Sequence, residues 1–128
     1  MPFVRIGVSD SLTQAQRRAI ADAVHQGLVE AIQIPPDDRF QLIDAYDSGS
    51  MIADPHYLGI SRTSRIVFVQ IFLRRGRTVP MKQNLYQRIT ELMQANAQIR
   101  SEDVFITLVE NELEDWSFGN GIAQYVPR

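Results

Sequence analysis

The stretch "PFVRIGV", Pro2 to Val8, returns 65 positions later as "VFVQIFL", Val67 to Leu73, and that recurrence decides the fold. Phe3, Val4 and Ile6 come back as Phe68, Val69 and Ile71. The same offset carries "IPPDDRFQLI" (34–43) onto "IRSEDVFITL" (99–108), with Ile34, Asp38 and Phe40 recurring as Ile99, Asp103 and Phe105. Between these blocks Ile20, Val24 and Leu28 map onto Leu85, Ile89 and Met93. Three separate segments keep one offset without a gap, which a coincidence of composition does not do.

Each copy reads alike. Residues 2–8 are rich in Val, Ile and Phe and predict a strand. "SLTQ" (Ser11 to Gln14) has capping-box spacing, and Ile20, Val24, Leu28, Ala31 and Ile32 form one helical stripe. "IPPDD" stops that helix, because a residue before proline disfavours the α region. Phe40 to Tyr46 follows as a strand. In the second copy Arg65 to Leu73 predicts a strand, and Pro80 sits where a first helical turn tolerates it. Leu85, Ile89, Leu92 and Met93 make the next stripe, and Val104 to Val109 the next strand. Strand–helix–strand twice gives two right-handed crossover units, about 2–46 and 65–110, in one domain spanning 1–128. The expected class is α+β: a four-stranded mixed sheet with two helices on one face, plus a short C-terminal strand. The strands are apolar on both sides, so the helix-free face is expected to be covered by other subunits. The long connection "YDSGSMIADPHYLGISRTS" (46–64) points to function or subunit contact.

Composition narrows the classes. The 128 residues suffice for a real core without staples, and 45% hydrophobic content is ordinary for a globular chain. Thirteen basic against fifteen acidic residues argue against a nucleic-acid binder that works by neutralising phosphates. Cysteine is absent, which removes disulfides, thiolate catalysis and Cys-based zinc sites. No apolar run reaches membrane-spanning length and no signal-peptide pattern opens the chain, so a cytoplasmic location is expected. His25 and His56 lack a third ligand, so no metal is expected.

The duplication isolates what differs between the copies. Position 2 is proline, whereas its counterpart is Val67, so the strand itself does not call for proline. With Met1 removed, Pro2 carries a free secondary amine. With Met1 retained, its nitrogen is an amide without basicity. Taken singly, Asp38 fits a turn residue, the Arg74, Arg75 and Arg77 run a solvated strand end, and Trp116 and Phe118 core aromatics. The "FGNG" stretch (118–121) fits a turn.

Together these residues carry a likeness. A duplicated β-α-β chain beginning Met-Pro resembles the tautomerase superfamily. Within it, "PPDDRFQLI" and "EDWSFGNGIAQYV" (Glu114 to Val126) are similar to the malonate semialdehyde decarboxylase family, over essentially the whole chain. The resemblance implies a homotrimer of duplicated subunits, no cofactor, and a small carboxylate-bearing oxo acid as substrate. It implies Pro2 as the catalytic group and Asp38 as the carboxylate beside it. It also implies an Arg-x-Arg pair after the third strand. Read without a gap that pair falls on Arg74 and Gly76. One inserted residue, a bulge, moves it to Arg75 and Arg77, with Arg74 the competing substrate ligand. Trp116 and Phe118 match the aromatic wall of the family's pocket.

The implied chemistry is cofactor-independent loss of carbon dioxide from malonate semialdehyde or a related 3-oxo acid. The electrons left on the α-carbon must be drawn into the carbonyl. A protonated Pro2 does so by hydrogen bonding, and a neutral Pro2 does so through an iminium. An α-amino group titrates near roughly pH 8, so both forms are accessible. Asp38 favours the protonated amine or orients water, the latter in a hydratase side activity. Arginines suit a planar carboxylate better than lysines. The alternatives are a keto–enol tautomerase or unsaturated-acid hydratase on the same scaffold, and a non-enzymatic trimeric binding module.

Overall fold

The computed structural model describes residues 1–127 as β1 (Phe3–Ser9), α1 (Gln14–Ile32), β2 (Phe40–Tyr46), β3 (Val67–Arg74), α2 (Val79–Ala97) and β4 (Val104–Asn111). The repeat is visible in the backbone to the residue. Both helices are 19 residues long and start 65 positions apart. Thr13 and Thr78 are their N-caps, and Gln33 and Gln98 their left-handed C-caps. Thr13 Oγ1 accepts from Gln16 N–H at 3.1 Å, while Gln16 Oε1 accepts from Thr13 N–H at 3.0 Å. The capping box is therefore two residues later than "SLTQ" suggests. Ser11 is used up in the turn that leaves β1, where its N–H donates to Ser9 Oγ at 3.2 Å. Pro80 lies in the first turn of α2, where no intrahelical N–H is needed.

The strands form one sheet in the order β2-β1-β3-β4, with β1 parallel to β2, β3 parallel to β4, and β1 antiparallel to β3. Each parallel pair is bridged by its own helix, as a crossover requires. Alternation in the strands sends Val4, Ile6 and Val8, and Val67, Val69, Ile71 and Leu73, to the helix side, all at most 1% exposed. There they meet Ile20, Val24 and Leu28 of α1 and Leu85, Ile89 and Met93 of α2. Gly27 permits the close crossing of the two helices: a Cβ there would come within 2.5 Å of Ile89 Cγ1.

The opposite sheet face keeps its apolar side chains in the open. Phe40, Leu42, Phe105 and Val109 are 52%, 50%, 45% and 40% exposed. Phe3 stacks on Phe72 at 5.7 Å, and a groove of about 500 Å³ runs past Tyr46, Phe68 and Phe105. The expected two-sided apolar sheet is present.

Two expectations fail. No bulge interrupts β3: its register with β4 runs unbroken from Val67–Val104 to Arg74–Asn111. The chain turns only after the strand, at Gly76 with φ 131°. Among the described residues no C-terminal strand forms either. Gly119, Asn120 and Gly121 all take positive φ, which breaks extended backbone. Among the described residues no helix is long and apolar enough to cross a membrane.

Candidate active site

Because β1 and β3 run antiparallel, β1 begins where β3 and β4 end. Phe3 is opposite Phe40 on one side and Phe72 on the other, so the chain start, the approach to β2 and the exit of β3 share one end of the sheet. Asp38 reaches this end through the turn after "IPP", its N–H donating to Pro35 O at 3.0 Å. In the chain bearing Met1, the terminal ammonium is ion-paired with the Asp38 carboxylate, and Met1 and Pro2 are both buried. Asp38 and the start of β1 thus come together as the sequence suggests.

The three arginines separate by partner. Arg75 continues the β3 ladder, donating its N–H to Asn111 O at 2.7 Å. Its Nε donates to Glu112 Oε1 at 2.9 Å, with Glu110 4.0 Å from Nη1. That hydrogen bond, then the charges of Glu112 and Glu110, hold its pKa above the usual arginine value. Glu110 itself is held below the usual carboxylate range, chiefly by the hydrogen bond from Lys82 at 3.0 Å. Arg77 differs: its Nη1 donates to Arg74 O at 3.1 Å. Burial, then the neighbouring charge of Arg74, pull its pKa down from the usual value. The charge of Glu110 acts on Arg77 in the opposite sense, without salt-bridge contact. Among the described residues neither Arg74 nor Arg77 has a carboxylate within salt-bridge distance. With Gly76, Ile32 and Met81 the three arginines line a cavity of about 200 Å³. Guanidinium groups without a paired carboxylate beside a cavity suit a planar carboxylate ligand.

The aromatic pair is built by the segment after β4. A 3-10 turn over Leu113–Asp115 begins it, closed by Glu112 N–H donating to Asp115 Oδ2 at 2.8 Å. Trp116 Nε1–H donates to Asn111 Oδ1 at 2.7 Å, and its ring stacks on Phe118 at 5.5 Å and 8°. Phe118 then meets Phe40 at 6.2 Å and Tyr125 edge-on at 5.1 Å. Phe40 is the register partner of Phe3, so the segment crosses from β4 to β2 over the end at which β1 starts. Gln124 pins the crossing, accepting from Phe118 N–H at 2.9 Å and donating to Gly119 O at 2.8 Å.

Asn111, Glu112, Phe40 and Tyr125 were not legible as site residues. Asn111 and Glu112 look like the polar end of an apolar strand, and Glu112 finds its partner 37 positions away. His25 is tied to the helix stop, its Nε2–H donating to Pro36 O at 2.7 Å. Among the described residues no group of three or more His, Asp or Glu side chains converges on a metal position.

Known proteins match this arrangement over nearly the whole chain. Two tautomerase-enzyme family models match, one at residues 38–119 and the other at residues 2–60. A probable tautomerase of Bacillus subtilis, YusQ, is 37% identical over 98% of this chain and 99% of its own. The crystal structure of FG41 malonate semialdehyde decarboxylase inhibited by 3-bromopropiolate is 44% identical, with a TM-score of 0.91 over 96% of this chain and 93% of that one. A second malonate semialdehyde decarboxylase, solved to explain its decarboxylase and hydratase activities, is 31% identical with a TM-score of 0.90, covering 96% and 95%. A fused 4-OT symmetric trimer, 20% identical with a TM-score of 0.79 over 98% and 99%, shares the fold. With one family model spanning well over half of its residues and relatives matching it end to end, the chain belongs to the tautomerase enzymes.

Proposed function

We propose that this enzyme decarboxylates malonate semialdehyde or a closely related 3-oxo acid without a cofactor, using the amine of Pro2 once Met1 is gone. The observation that carries the reading is the pair of guanidinium groups, Arg74 and Arg77, with no carboxylate in salt-bridge contact among the described residues, at the sheet end where β1 starts beside Asp38. An arginine that is partly buried next to another arginine is costly, and an incoming carboxylate relieves both. Arg75 is hydrogen-bonded to Glu112, which favours Arg74 and Arg77 as the working pair over Arg75 and Arg77.

In the step itself the bond between the α-carbon and the carboxylate breaks and carbon dioxide leaves. The bonding electrons move into the carbonyl, giving an enolate that takes one proton at the α-carbon to become the aldehyde product. A protonated Pro2 donates a hydrogen bond to the developing oxyanion, and the Asp38 carboxylate favours that protonated form. Where Pro2 is neutral it attacks the aldehyde instead, and the iminium accepts the same electrons. The arginines fix the carboxylate so that the breaking bond is aligned, since mere affinity would stabilise the ground state. Trp116 and Phe118 exclude water, which strengthens these charges. Three copies are proposed to cover the apolar sheet face, a reading that a trimer of the same fold supports.

Carbon dioxide release from malonate semialdehyde, measured beside ketonisation of phenylpyruvate enol, tests the reading. Decarboxylation in the Met1-free chain, identified by intact mass, is the expected result. Ketonisation alone would replace it with the tautomerase reading, which the name of the Bacillus relative favours. Borohydride trapping with substrate then separates the iminium route from the proton-donor route.

A further inference from the structure

The wall over the site is held from β4 by one side chain. We infer that Asn111 is a positioning residue, acting through Trp116 to set how well the enzyme takes its substrate; this rests on the proposed site. Three observations carry it. Trp116 Nε1–H, the indole's single donor, is consumed by Asn111 Oδ1 at 2.7 Å, so the ring is fixed in plane and offers no donor elsewhere. The ring so fixed is stacked within 8° of Phe118, and Phe118 bridges to Phe40 beside the start of β1. Asn111 is itself anchored through its backbone. It closes the β3–β4 ladder opposite Arg74, and its carbonyl accepts the Arg75 N–H at 2.7 Å. One residue therefore ties the aromatic wall to the strand end from which the arginines emerge. A side chain free to rotate would let the indole turn, expose its N–H and loosen the stack.

Trp116 is the chain's one tryptophan, so its indole N–H resonance and its emission report on it alone. In Asn111→Leu the N–H resonance is expected to move and to lose its protection from exchange. With substrate, kcat/KM should fall about tenfold through KM, with the shape of the pH profile unchanged, because no titrating group has been touched. The deciding measurement is a double-mutant cycle. In a Trp116→Phe background, Asn111→Leu should add nothing further if it acts through the indole. Additive losses would overturn the inference, as would an unchanged KM in Asn111→Leu despite a shifted indole signal. Asn111→Ala carries the same comparison should the leucine variant not fold. If the parent chain releases no carbon dioxide, the proposed reaction fails, and the cycle is run on phenylpyruvate enol, where coupling or additivity still decides the role of Asn111.

Discussion

The two halves carry equivalent aspartate turns at opposite ends of the sheet, and the proposed chemistry uses only one of those ends. At the first, Asp38 faces the start of the chain. At the second, its counterpart Asp103 is 1% exposed and fully employed, accepting from Thr63 N–H at 2.7 Å and Thr63 Oγ1 at 2.6 Å. Both aspartates sit in the same turn, with N–H bonds to Pro35 O and Arg100 O at 3.0 and 2.9 Å. Where the first end has Arg74 and Arg77, the offset gives Ser9 and Leu12. The nearby Arg62 spends its guanidinium on carbonyls, donating to Tyr57 O at 3.0 Å and Ile60 O at 3.2 Å. The turn thus belongs to the fold, but only Asp103 is spent within it, as a clamp on the segment entering the second half. Asp38, the proline, the arginines and the aromatic wall are what a function must explain.

The contrast can be broken most sharply at the strand starts. Pro2→Ala should lower kcat/KM by about 100-fold or more, the usual scale for a positioned acid or base. Val67→Ala should reduce stability and leave turnover per folded molecule unchanged. Equal losses of turnover at both positions in steady-state assays would erase the distinction between the ends.

Within the end that the proposed chemistry uses, Arg77→Ala should cost about 10- to 100-fold in kcat/KM, the scale of a lost charged hydrogen bond, and lysine there should not restore it. Arg75→Ala should stay within about threefold, because its exposed guanidinium is engaged with Glu112. The opposite ranking would return the working pair to Arg75 and Arg77.

The aspartates sharpen the same comparison from the side of stability. Asp103→Asn should lower unfolding free energy by about 1.5–3 kcal/mol, since it weakens a buried carboxylate's two short bonds. Its turnover should hold. Asp38→Asn should do the reverse, with a near-normal thermal midpoint and lost turnover. Denaturation and assay of the two variants side by side give the answer.

Much of this was legible in the chain itself. The offset of 65 places both helices, all four strands and the aspartate turn, because periodicity and helix stops are local signals. The gap-free reading of the Arg-x-Arg pair gives Arg74 and Gly76, and β3 runs without a bulge to Arg74, with Gly76 in the turn that follows. The pairings of Arg75 with Glu112 and of Trp116 with Asn111 were not legible. Such side-chain pairings arise only when the sheet brings distant strand ends together, and no local pattern encodes them. The C-terminal strand is absent among the described residues because the "FGNG" turn puts three consecutive residues at positive φ, which extended backbone does not tolerate.

Gln33 and Gln98 close the two helices with φ of 60° and 55°, a conformation that a residue with a Cβ adopts at a cost. Glycine at either place removes that strain against a smaller entropic loss in the unfolded chain, a net gain of about 0.5–1 kcal/mol each. The two positions are 65 residues apart, so thermal midpoints of the single and double variants should show additive gains. The molecule thereby holds a small untapped margin of robustness, one from which a harmful change at the working end could be rescued without altering any group that touches substrate.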